Sequence, residues 1–311
     1  MEVIRSGVRE GAHHGSVVLL DADGTVLHSV GDVHAPMFPR SSNKPIQALG
    51  MLQSGLELDD DADLALVCAS HNGEAEHVER ALGILARAGL TEDDLRCPHD
   101  LPLHQPTAHA VLAGGGGKRR AYMNCSGKHA GMLATCVARG WSLPDYLEPG
   151  HPLQRAIAAT LAERAGEPVA ATAVDGCGAP LFSVSLAGLA RAFASLTTAR
   201  DGTPARRVAD AMRAHPFLVA GTDREDTRLM TAVPGLVCKA GAEGVHAAAL
   251  PDGRAVAVKI DDGATRARLP VMVAALRALG VDPPGLDELA EEPVLGGGEV
   301  VGSARVIPGT L

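Results

Sequence analysis

A chain of 311 residues is long enough to bury a large core, and its 46% apolar and 21% charged residues are the make-up of a water-soluble globular protein. A formal net charge of −9 argues against nucleic acid as a main partner. No run approaches the roughly 18 apolar residues of a membrane span. Six cysteines are too sparse for a disulfide scaffold, and the opening MEVIRSGVREGAHHG lacks the apolar stretch of a secretion signal, so reduced thiols and a cytoplasmic location are expected.

In chain order, residues 16–30 (SVVLLDADGTVLHSV) form two strand-like runs around Asp23-Gly24, a hairpin signal. Arg40-Ser41-Ser42-Asn43-Lys44-Pro45 then opens a helix whose apolar positions are Ile46, Leu49, Met51 and Leu52. LALVCAS (64–70) is a short apolar run that fits a buried strand or a helix end. Residues 73–89 have helical periodicity and stop at Gly89, while Cys97 to His109 is rich in Pro and His and reads as loop. Gly114 to Gly117 before Lys118 fails as a phosphate loop, because Arg119 stands where Ser or Thr is required; a surface turn is expected. A small polar turn running into a helix is expected over 122–139, a helix over roughly 151–165, a turn and then a helix over 172–194, and further helices near 205–214 and 223–232. The stretch 235–260 is β-rich, with Pro251-Asp252-Gly253 turning the chain, and a helix over 265–279 follows.

This order predicts an α+β fold. One antiparallel sheet would be built from about 10–35 and 235–262 and flanked by helices, with a mostly helical region over about 45–232 and a single domain over 1–311.

The chemistry gathers at the helix start. A serine and a lysine three apart on one helix face are neighbours, and a serine needs such a base to become a nucleophile. That spacing selects Ser41 over Ser42 as partner of Lys44; the plain alternative is an N-cap serine followed by a solvated lysine. Ser70-His71-Asn72 and Lys239-Ala240-Gly241 have the forms Ser-x-Asn and Lys-x-Gly. In this order the three motifs resemble the set of serine β-lactamases and penicillin-binding proteins.

More specific still, RSSNKPIQAL, CASHNGE, NCSGKHAGML, DGCGAP, HPFLVAG and CKAGAEGV together resemble the rhizobial-type L-asparaginases, the serine–lysine-dependent, asparaginase II-like class, over about residues 15 to 280. The resemblance implies hydrolysis of L-asparagine to L-aspartate and ammonia, a homodimer, and two serine–lysine pairs, Ser41 with Lys44 and Ser70 with Lys239. It also implies a zinc site of Cys125, Lys128 and Cys177, with His129 and Asp175 lining the pocket. Spacing alone gives no standard zinc pattern, and leaves these cysteines as buried structural thiols.

On this reading Ser41 attacks the side-chain amide and Lys44 takes its proton, Ser70 being the alternative nucleophile. Asp175 suits the substrate's ammonium and Arg40 its carboxylate. A turn residue and a surface arginine are the bland alternatives. Two rival functions remain open: another amidohydrolase or penicillin-recognising serine hydrolase, and a catalytically silent amino-acid or zinc-binding sensor.

Overall fold

A computed structural model describes Met1–Leu311, and the α+β class is observed. Its main sheet has five antiparallel strands in the order Val26–Val30, Gly15–Leu20, Ala255–Ile260, Val245–Ala249, Val237–Ala240. The expected hairpin supplies the first two, turning through Gly24 at φ +85, a conformation that suits glycine. Leu20 pairs with Ala255 and Val17 with Val258, so the N-terminal hairpin joins the C-terminal strands across most of the chain. Every residue of Val245–Ala249 is buried, which requires cover on both faces of the sheet. The helices Leu186–Thr197 and Thr265–Ala278 pack on its central strands.

The helical region lies beside this sheet, centred on Lys44–Gln53. All residues of that helix from Lys44 to Met51 are buried, as befits a helix surrounded by others. It packs against the helices Ser126–Arg139, Pro152–Ala165 and Pro204–Ala214. Pro45 sits in its first turn, where a missing N–H costs nothing.

Of the two alternatives for residues 64–70, the helix end is observed: the helix Asp61–Val67 is capped by the Asp60 carboxylate accepting from the Asp63 N–H at 2.8 Å. Other features differ from the sequence expectation. The stretch expected as loop before His109 contains the start of a helix, Gln105–Ala113, with Pro106 in its first turn. The turn expected at Asp175 is present, but strands flank it, Thr172–Val174 with Pro180–Phe182, and make it a short hairpin. Finally, Glu2–Arg5 and Val8–Ala12 join Glu292–Gly296 and Glu299–Arg305 in a second, four-stranded sheet around Val3, Val294 and Ala304. Val8–Ala12 is exposed throughout, so no apolar alternation marks it, and Glu2 pairs with Arg305 at the far end of the chain.

Candidate active site

The sequence has only five lysines, and three of them, Lys44, Lys128 and Lys239, are at most 1% exposed. A buried lysine needs partners to offset lost hydration, and those partners define the site.

Lys44, the first residue of its helix, donates to the Ala69 carbonyl at 2.6 Å and to Ser70 Oγ at 2.9 Å. Ser41, in the 3-10 turn Arg40–Asn43, is half-buried and makes no side-chain hydrogen bond. The expected Ser41–Lys44 contact is therefore replaced by a Ser70–Lys44 contact. The reason is burial: an amine removed from water takes the interior carbonyl of Ala69, and that places it on Ser70.

Lys239 is likewise paired differently. Its amine donates to Asp226 Oδ2 at 2.6 Å and to the Ala240 carbonyl at 2.9 Å, with no hydrogen bond to Ser70. Asp226, at the start of the helix Glu225–Ala232, was not found by sequence reasoning; an acidic residue in a first helical turn has an ordinary explanation there. Only the fold brings it to the strand Val237–Ala240. Burial disfavours charge on Asp226, but Lys239 and His246 outweigh it and hold the carboxyl far below the usual carboxylate range. Burial draws Lys239 below the ordinary lysine range, with Asp226 opposing and the nearby Lys44 reinforcing. Burial pushes the adjoining Cys68 thiol up to about 12, so it stays neutral.

The Ser41 turn is held against the sheet. A Cβ on Gly241 would lie 2.6 Å from the Pro39 carbonyl oxygen and 3.1 Å from Ser42 N, so only glycine lets this strand end approach so closely. Arg40 has a left-handed backbone, φ +52, unusual outside glycine. Its Nε donates to Asp175 Oδ1 at 2.8 Å, and its Nη1 lies 3.5 Å from Glu243 Oε1. The two expected substrate anchors thus form one ion pair.

On the Ser70 side the loop is pinned through its backbone: Ser70 N–H donates to the Val219 carbonyl at 3.0 Å and His71 N–H to that of Asn124 at 3.1 Å. His71 Nδ1 accepts from Gly73 N–H at 3.0 Å, which leaves Nε2–H to donate to Ser126 Oγ at 2.9 Å. Asn72 Nδ2 donates to the Thr222 carbonyl, and Arg224 donates to Asn72 Oδ1.

The third buried lysine stands among thiols. Lys128 Nζ donates to Cys177 Sγ at 3.1 Å, and the Cys125 thiol donates to Asn124 Oδ1 at 3.1 Å. The neighbouring Cys125 and the Lys128 charge favour a thiolate on Cys177, while Cys177 and burial keep Cys125 a thiol. Burial opposes the charge on Lys128, but Cys177, Cys125 and Asp175 raise it above the lysine norm. His129 is buried beside Cys177, with Nδ1 2.7 Å from the Tyr146 hydroxyl and Nε2 without a partner. The fold therefore brings Cys125, Lys128, Cys177 and His129 together with Asp175 adjoining.

The family model for L-asparaginase II matches residues 1–306. The chain belongs to that family. No curated protein matches it. Among solved structures, a β-lactamase from Mycobacterium bovis is similar at 16% identity and a TM-score of 0.46, over 85% of this chain and 93% of that one. EstCE1, a hydrolase with promiscuous acyltransferase activity, is similar at 14% identity and a TM-score of 0.42, over 79% of this chain and 88% of that one. No helix of this family member is long and apolar enough to cross a membrane.

Proposed function

We propose that this protein is an L-asparagine amidohydrolase working through a seryl acyl-enzyme. The observation that carries the reading is the Lys44–Ser70 hydrogen bond at 2.9 Å, three residues along the chain from a half-buried Ser41 hydroxyl that no other group claims. Ser41 Oγ attacks the side-chain amide carbon, and its proton passes to Lys44. As the C–N bond breaks, that proton reaches the departing ammonia by way of Ser70. Water then cleaves the aspartyl ester and restores Ser41. The Arg40–Asp175 pair offers both charges to a zwitterionic amino acid, Arg40 to its carboxylate and Asp175 to its ammonium. The Ser70–Lys44 contact itself favours a second reading, in which Ser70 is the nucleophile and Ser41 a substrate-binding hydroxyl.

Cys125, Cys177 and Lys128 are proposed to hold zinc. The donor set fits: the cluster already favours one thiolate, a second sulfur adjoins it, and the His129 Nε2 beside it is buried without a partner. Lys128 would give up its proton to bind. A zinc ion there supplies a fixed tie and a positive charge between the start of the Ser126–Arg139 helix and the Asp175 turn.

The test is ammonia release from L-asparagine, with L-glutamine alongside and Ser41→Ala and Ser70→Ala assayed separately. Turnover should vanish in Ser41→Ala and fall by about 10²–10³ in Ser70→Ala. Normal turnover in Ser41→Ala would transfer the nucleophile to Ser70, and no release by folded wild-type protein would overturn the substrate.

A further inference from the structure

We propose that Asp226 is the positioning residue of this site, holding Lys239 as a fixed cation whose remaining N–H serves the reacting amide. This rests on the amidohydrolase reading above. Lys239 is 0% and Asp226 1% exposed, and their contact is 2.6 Å. Asp226 Oδ1 also accepts from the Ala240 N–H at 2.8 Å and from His246 Nε2 at 3.1 Å. One carboxylate thus fixes both the backbone beside Lys239 and its ammonium, from a helix N-terminus that favours negative charge. Of the three ammonium hydrogens, one goes to Asp226 and one to the Ala240 carbonyl; no protein group takes the third. That hydrogen is free for an oxygen that gains charge during acyl transfer.

The surroundings leave Asp226 as the anion that matters. Lys44 faces Lys239 from the central helix, and Arg224 does so as a cation from the lead-in to the Asp226 helix. Cys68 and Cys238 adjoin as neutral thiols, since burial raises both. His246 is hydrogen-bonded to Asp226, and Glu225 is spent on Arg268 at 2.8 and 2.9 Å.

Two measurements test the assignment. In Asp226→Asn the loss of the carboxylate weakens proton binding by Lys239, so the alkaline limb of kcat/KM should move to lower pH by about one unit or more, with KM little changed. A merely structural residue would lower kcat without moving that limb, and such a result overturns the proposal. Because this variant can fail to fold, the wild-type protein labelled with [13Cε]lysine supplies the second measurement. Its five lysines give five resonances, with Lys239 assigned by its loss in Lys239→Met. Lys239 should stay an ammonium from pH 6 until the alkaline limb of activity. A neutral Lys239 at pH 7 would overturn the proposal even where asparagine turnover is normal. Failure of the asparagine assay alone would overturn the substrate and leave this titration to be read.

Discussion

The amine of Lys44 meets the hydroxyl of Ser70 at 2.9 Å across 26 residues of sequence, while Ser41, three residues before that lysine, keeps its hydroxyl unpartnered. The lysine belongs to a helix buried on every side, and the serine to a loop that its own backbone fastens to Val219. Their contact joins two rigid parts, which preserves its geometry between catalytic cycles. Several measurable consequences follow from the way this site is built.

Gly241→Ala tests how closely the Ser41 turn must approach the sheet. The added Cβ would meet the Pro39 carbonyl oxygen at 2.6 Å, and the obstacle is backbone, which cannot swing aside. The expected outcome is a destabilisation of about 1–3 kcal/mol and a drop in kcat of about tenfold or more, read by denaturant unfolding and by steady-state ammonia release. An unchanged kcat would show that the turn tolerates displacement from the strand.

Stability should fall on mild acidification, through histidines. Burial, foremost, lowers His71 well below the usual imidazole range, with neighbouring cations adding to it. Burial also lowers His77, although the Phe217 carbonyl and Glu74 oppose the shift. The folded protein keeps both rings neutral where the unfolded chain protonates them, so the unfolded state takes up more protons as pH drops. Their contribution is complete above about pH 6.5 and is lost below it, by at most about 1.4 kcal/mol per pH unit for each ring. Urea unfolding between pH 5 and 8 measures the slope, and His71→Gln should reduce it. A flat profile across that range would contradict the neutral assignment.

Metal analysis tests the thiol cluster. The purified protein should carry zinc, and Cys177→Ser should lose it, since Cys177 is the sulfur to which Lys128 donates. Lys128→Met should weaken zinc retention by about tenfold or more without removing either thiol. Elemental analysis and thermal unfolding with and without a chelator read both effects. Full zinc content in Cys177→Ser would remove that residue from the donor set.

Much of this molecule was legible in its residues because the signals are local. Asp23-Gly24 marks a hairpin, Gly89 a helix end, and Arg40 to Pro45 the start of a helix, each through conformational preferences of a few adjacent residues. The cysteines and lysine of the thiol cluster were named only through the family resemblance, not through their spacing, and the fold places Lys128 at 3.1 Å from Cys177. The terminal sheet gave no such sign, since Val8–Ala12 is exposed on every residue and the sheet is joined by Glu2–Arg5 pairing with Glu299–Arg305 from the other end of the chain.

What composition and local pattern determined by themselves was the α+β class, the positions of most helices, and the serine–lysine motifs, while Cys125, Lys128 and Cys177 were singled out only by the family resemblance. The tertiary structure decided who pairs with whom. Lys44 turned to Ser70 and Lys239 to Asp226, because a buried amine is satisfied by whatever acceptors the packed interior brings within 3 Å, and sequence spacing does not specify them. Asp226 lies thirteen residues from Lys239 in a helix start that marks it as nothing more than a favourable charge. Its role exists only once that helix is laid against the strand, where the cost of burying one charge can be met only by another.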